Sequence, residues 1–139
     1  YNDTLSVEQI RTAWNAMLLD IPAGRIDFLL GLKKRYRIFL LSNTNAIHHE
    51  AFQQIELKTT GDPVTLNDCF EKAYYSHEIG LRKPDGEIFE YVLNTNRLIA
   101  EQTLFIDDTL SNVEAANSIN IKGLYLDHPT TIEVLLNGY

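Results

Sequence analysis

Apolar residues recur along the chain at two different spacings, and the alternation between them predicts its elements. Val7, Ile10, Trp14, Met17 and Leu18 follow the helical period, and Ser6 with Gln9 forms a capping box that would open that helix. It should stop before Pro22, which can occupy the first turn of a second helix carrying Ile26, Leu29, Leu30 and Leu32. Lys33, Lys34 and Arg35 close that helix with cations, as its dipole favours. Tyr36 to Leu41 is a continuous apolar segment with polar flanks and predicts a buried strand. A helix with Ile47, Ala51, Phe52 and Ile55 follows, then a turn-rich connection from Leu57 to Asp68 containing Gly61-Asp62-Pro63.

Lys72 to Ser76 predicts a short strand, and Pro84 a helix that begins immediately and carries Ile88, Phe89, Val92 and Leu93. Leu104-Phe105-Ile106 is the clearest buried strand after the first. Ser111 with Glu114 forms a second capping box, opening a helix with Val113, Ala116 and Ile119. A strand at Gly123 to Leu126 and a helix around Ile132 and Leu135 end the series. Strands alternating with helices predict βαβ units, hence an α/β fold with a parallel sheet and helices on both faces.

Composition narrows the function classes. The 139 residues fit one domain with a real core, and 45% apolar with 22% charged residues is ordinary for a globular protein. A net charge of -7 argues against a nucleic-acid partner, whose binding rests on a basic face. A phosphate ligand would need local positive charge against that field. Apolar runs such as Ile38 to Leu41 are far too short to span a bilayer, so no membrane partner is expected. The single cysteine, Cys69, excludes an internal disulfide and reads as a half-buried thiol in a reducing compartment. The amino end shows no basic-then-apolar leader, and a cytoplasmic location is expected.

Three polar clusters follow or end strands. Ser42-Asn43-Thr44 lies between a strand and a helix, where hydroxyl, amide and free N–H groups can cradle an anion or simply cap the helix. Lys83 is held extended by Pro84, its ammonium either aimed at the strand ends or left in solvent, with Arg82 at the surface. Asp107 and Asp108 are adjacent carboxylates that repel, so a fold placing both there supplies a cation or leaves them in water. Magnesium, bound to one acid directly and to the other through water, would meet that need. In open parallel sheets ligands sit beyond the carboxyl ends of strands, which would gather these clusters. His48, His49, His77 and His128 lack metal-ligand spacing, and Trp14, Tyr74, Tyr75 and Tyr91 read as core or interface.

In combination and order, these segments resemble the haloacid dehalogenase (HAD) superfamily, nearest its phosphatase-like members with a helical cap. The matching stretches are Phe39-Leu40-Leu41-Ser42-Asn43-Thr44-Asn45, Tyr75-Ser76-His77-Glu78-Ile79-Gly80-Leu81-Arg82-Lys83-Pro84-Asp85 and Leu104-Phe105-Ile106-Asp107-Asp108. The resemblance implies a Rossmann-like α/β core over residues 21–139 and a remnant of the cap over residues 1–20. It implies that Ser42 and Asn43 bind a phosphoryl group and that Lys83 holds phosphate and nucleophile together. Asp108 would ligate Mg2+ and Asp107 support the ion through water.

The implied activity is magnesium-dependent hydrolysis of a small phosphorylated metabolite through an aspartyl-phosphate. The family's attacking residue stands in an Asp-x-Asp strand, and no Asp-x-Asp occurs here. That strand normally lies centrally, between those ending at Leu41 and Ile106. A truncated chain, a strand borrowed from another chain and a rearranged sheet all account for this. Truncation is favoured because every other part is intact, so this chain alone should be inactive. The incomplete sheet also allows self-association. A non-catalytic binding or interaction protein derived from the same fold is the alternative. A phospho-receiver domain uses similar groups, but there the acidic pair comes first in the chain, whereas here it comes last.

Overall fold

The computed structural model describes residues 6, 24–45 and 66–137. The helix expected over Val7 to Leu18 with Trp14, the cap remnant, Pro22, the helix from Ile47 to Ile55 with His48 and His49, and Gly61-Asp62-Pro63 lie outside the described residues. The chain divides into two compact units, Tyr1–Ile79 and Gly80–Tyr139. Their described strands form two separate two-stranded parallel sheets.

In the first unit, helix α1 (Arg25–Lys33) follows Gly24, whose φ of 81° is left-handed. Its Leu29 is buried, and the helix packs on a 3-10 turn at Leu66–Cys69. Cys69 is therefore fully buried rather than half-buried. Lys33 reinforces the contact, donating from Nζ to the carbonyls of Asp68 and Phe70 at 2.6 and 3.1 Å. Strand β1 is Phe39–Ser42, later than the apolar segment predicts. Tyr36 is not part of it, because its N–H closes the end of α1 onto the Leu32 carbonyl at 2.9 Å and its side chain is exposed.

Strand β2 (Lys72–Tyr75) pairs with β1 in parallel from Phe39 opposite Lys72 to Ser42 opposite Tyr75. Tyr74 is its buried core residue. The Arg37 guanidinium grips Glu71 through both its Nε and an Nη, but at an exposed site that contributes little. A single helical turn, α2 (Ser76–Ile79), follows β2 directly and ends this unit.

The second unit opens at Gly80, where φ is 71°. Arg82 to Asp85 then form a turn closed by the Asp85 N–H on the Arg82 carbonyl at 3.0 Å, with a cis peptide between Lys83 and Pro84. Helix α3 consequently starts at Gly86, not at Pro84, and runs to Asn96. It buries Ile88 and Phe89, and the Phe89 ring meets Phe105 edge-on with centroids 5.1 Å apart. Strand β3 (Leu104–Asp107), helix α4 (Leu110–Ser118) and strand β4 (Lys122–Tyr125) make one βαβ unit, in register from Leu104 opposite Lys122 to Asp107 opposite Tyr125.

The expected capping box at Ser111 is not how α4 begins. The N-terminal flank is Thr109, without a side-chain cap, and Ser111 sits inside the first turn. Val113, Ala116 and Ile121 fill the βαβ core, and a short helix α5 (Ile132–Leu135) closes the described chain.

Gly123 marks the tightest approach of α4 to the sheet. A Cβ there would lie 2.8 Å from both Val113 Cγ1 and the Val113 carbonyl, and the Gly123 N–H donates to Asn117 Oδ1 at 2.9 Å. Backbone cannot yield as a flexible side chain can, so Gly123→Ala should cost about 1–3 kcal/mol by overpacking. Gly86→Ala, with nothing within 4 Å of its Cβ, should be neutral or stabilising by up to about 1 kcal/mol. Urea unfolding midpoints of the two variants measure that contrast.

Candidate active site

The end of β3 carries a buried carboxylate paired with a buried ammonium. Asp107 is the last residue of the strand, and its alternation with Ile106 turns its carboxylate to the same face as Phe105. The carboxylate is buried, 9% exposed, and so is Lys83 at 8%. Lys83 Nζ donates to Asp107 Oδ2 at 2.7 Å, and the ammonium lies 5.6 Å from the centroid of the Phe105 ring. The other oxygen, Oδ1, accepts from the Thr109 backbone N–H at 2.8 Å and from Asn112 Nδ2 at 3.0 Å. Both donors come from the chain as it turns into α4, so the helix that completes the βαβ unit also fixes the acid.

Two charges taken out of water are costly unless each is paired and its remaining hydrogen-bonding capacity is used. Here Asp107 accepts three bonds, one of them charge-assisted. Burial pushes its carboxyl up, but bonds from Lys83 and Asn112, the Lys83 charge and the Thr109 amide outweigh that and hold it below its ordinary value.

Asp108, by contrast, is exposed. The repulsion expected between the two acids is thus relieved in two different ways, one carboxylate taking a buried cation and its neighbour taking water. Among the described residues, no three His, Cys, Asp or Glu side chains group as a metal cage. The donor set is one open carboxylate beside another whose oxygens are partly committed. That fits a hard ion that keeps much of its water and needs one or two carboxylates, rather than a metal that wants nitrogen or sulfur ligands.

In the first unit, Ser42 ends β1 opposite Tyr75, and Asn43 follows it, exposed. Thr44 is tied back by Ser76, whose Oγ accepts from the Thr44 N–H at 3.0 Å and donates to the Thr44 carbonyl at 2.9 Å. Lys83 and Asp107 are therefore brought into direct contact, Asp108 adjoins them in sequence, and Ser42 with Asn43 belong to the other unit. The sequence pattern places Phe105 in a strand and Ser76 in a matching stretch but gives neither of them, nor Asn112 or Thr109, a part in the site. For Asn112 a signal existed: it is a polar residue on the buried face of α4, alongside Val113 and Ala116.

The profile of the haloacid dehalogenase-like hydrolases matches residues 9–120 of the chain. The chain belongs to that family. It is 33% identical, over 85% of its length, to D-ribitol-5-phosphate phosphatase of Bacteroides thetaiotaomicron, and 25% identical over the same share to a phosphorylated carbohydrates phosphatase of Thermotoga maritima. It spans about half the length of these curated relatives, 56% and 51% respectively. Among solved structures, a HAD enzyme from B. thetaiotaomicron in complex with magnesium superposes with a TM-score of 0.84 at 34% identity, over 95% of this chain and 66% of that one. A HAD-like hydrolase from Porphyromonas gingivalis gives 0.78 at 30% identity, over 94% of this chain and 62% of that one. The α/β architecture is that of the HAD fold, as the order of its strand-end clusters implies.

Because the folded state holds the Asp107 carboxyl below its ordinary value, its contribution to stability is present above the unfolded value and lost as pH falls through the lower folded one. Asp107→Asn leaves the Lys83 ammonium buried without its counter-charge and should cost about 3–5 kcal/mol at neutral pH. It should also remove this carboxyl's share of the acid-side loss. Unfolding midpoints of the native protein and the variant from pH 7 down to pH 2 test both statements.

Proposed function

We propose that the protein carrying these residues is a magnesium-dependent hydrolase of small phosphorylated metabolites. The observation that carries the reading is the buried Lys83–Asp107 pair at the end of β3, with exposed Asp108 next to it. On this reading Lys83 neutralises phosphoryl oxygen charge as the transferring group develops it, and its pairing with Asp107 fixes where the ammonium stands. Ser42 and Asn43, with hydroxyl and amide, are the phosphoryl-binding groups of the first unit. Asp108 would ligate Mg2+, and Asp107 would support the ion through water.

When bound, the ion supplies charge neutralisation for the phosphoryl group. The attacking carboxylate, which would form an aspartyl-phosphate, comes from residues other than the 139, since no Asp-x-Asp occurs among them. The ribitol-phosphate and phosphorylated-carbohydrate phosphatases to which the chain is similar support a phosphorylated polyol or sugar as the kind of substrate.

The test is steady-state assay of the complete protein against a panel of small phosphate monoesters, with magnesium and with chelator. Turnover should require magnesium, and Lys83→Met and Asp108→Asn should each lower kcat/KM by about 100-fold or more. The 139 residues alone should not turn over. Magnesium-independent turnover, or activity in the isolated chain, would overturn the mechanism. A complete protein that binds phosphate esters without hydrolysing any favours a non-catalytic binding protein instead.

A further inference from the structure

The parallel ladder of β1 and β2 ends at the pair Ser42–Tyr75. Past that point each strand loses the partner that satisfied its backbone, and polar backbone groups away from water need another. For Thr44, both needs are met by one atom. Ser76 Oγ accepts from the Thr44 N–H at 3.0 Å and donates its own proton to the Thr44 carbonyl at 2.9 Å, in a half-buried setting. A serine hydroxyl has one proton to give and lone pairs to receive, so this reciprocal use leaves its donor committed. Ser76 is also the first residue of α2, so its own backbone is fixed by helix on one side and ladder on the other.

The consequence falls on Asn43. It is the single residue between Ser42, held by the ladder, and Thr44, held by the Ser76 clasp. We propose that Ser76 is a positioning residue for phosphoryl binding: its hydroxyl, clasping Thr44 from both sides, sets the backbone from which Ser42 and Asn43 present hydroxyl and amide. This rests on the reading that Ser42 and Asn43 bind the phosphoryl group, and it assigns a function to a serine whose hydroxyl is engaged with the backbone of Thr44. An alanine at 76 would leave the Thr44 N–H and carbonyl to find water, and the loop would lose its fixed end. Threonine keeps the hydroxyl. Cysteine keeps the size but offers only a weak donor and acceptor.

The experiment measures kcat/KM for a small phosphate monoester and the competitive inhibition constant of orthophosphate, in the complete protein with magnesium. Variants are Ser76→Ala, Ser76→Thr and Ser76→Cys, with Ser42→Ala and Asn43→Ala as references and thermal midpoints recorded for all. Ser76→Ala should lower kcat/KM by roughly 10- to 100-fold, the range expected when a binding group is displaced by a fraction of an ångström to one ångström. The orthophosphate constant should rise in parallel. Ser76→Thr should recover most of the loss, and Ser76→Cys should fall between.

A merely structural serine would lower the midpoint and leave the orthophosphate constant unmoved, which would overturn the proposal. If Ser76→Ala does not fold, Ser76→Cys decides, and an unchanged orthophosphate constant there also overturns it. Impaired Ser42→Ala with unimpaired Ser76→Ala sinks the clasp alone. If Ser42→Ala and Asn43→Ala are themselves without effect, the phosphoryl-binding reading fails, and this inference with it.

Discussion

A lysine and an aspartate that are both out of water constrain everything around them. Neither can be left without the other, because an uncompensated buried charge costs several kcal/mol even after local relaxation. The pair of Lys83 and Asp107 therefore ties the turn before α3 to the end of β3, two segments separated by a whole helix and a 3-10 turn. The tie also assigns different chemistry to two neighbouring acids. Asp107 is paired with an internal cation and only partly committed, while Asp108 keeps its oxygens in solvent, where they can take a ligand from outside.

Around this pair, ordinary packing supplies precision. The Phe105 ring, wedged edge-on against Phe89, forms an apolar wall beside the ammonium that is paired with the carboxylate. Helix α4 contributes from the other side. Its N-terminal end donates Thr109 N–H and Asn112 Nδ2 to the acid, and its later turns lie so close to β4 that a side chain at position 123 would crowd Val113. The seat of α4 on the sheet and the orientation of Asp107 are thus one structural fact.

Much of this was legible in the sequence. Leu104-Phe105-Ile106 reads as a buried strand, and the two parallel pairs follow from strands alternating with helices. The order of Ser42-Asn43, Lys83 and Asp107-Asp108 was enough to suggest the family to which the chain belongs. What apolar patterning misplaces are the ends. Ser42 and Asp107 are polar and would be assigned to loops, yet both sit in the ladders, opposite Tyr75 and Tyr125, because a strand-end backbone pairs whatever its side chain. Pro84 and Ser111 mislead for a related reason. Each is a good helix opener, but the Arg82–Asp85 turn and the bond from Thr109 to Asp107 set where the helices begin. The partnerships of Ser76 with Thr44 and of Asn112 with Asp107 leave no periodic trace, since they depend on where two segments meet in space.

The chemistry proposed for this site requires the ammonium of Lys83 to be locked to Asp107 before any ligand arrives. The direct measurement is the proton–nitrogen NMR spectrum of the lysine ammonium groups in the ligand-free protein. It should contain one slowly exchanging ammonium signal, assigned to Lys83 and lost in Asp107→Asn. A Lys83 signal that exchanges as fast as those of the exposed lysines, and does not respond to that substitution, would contradict it.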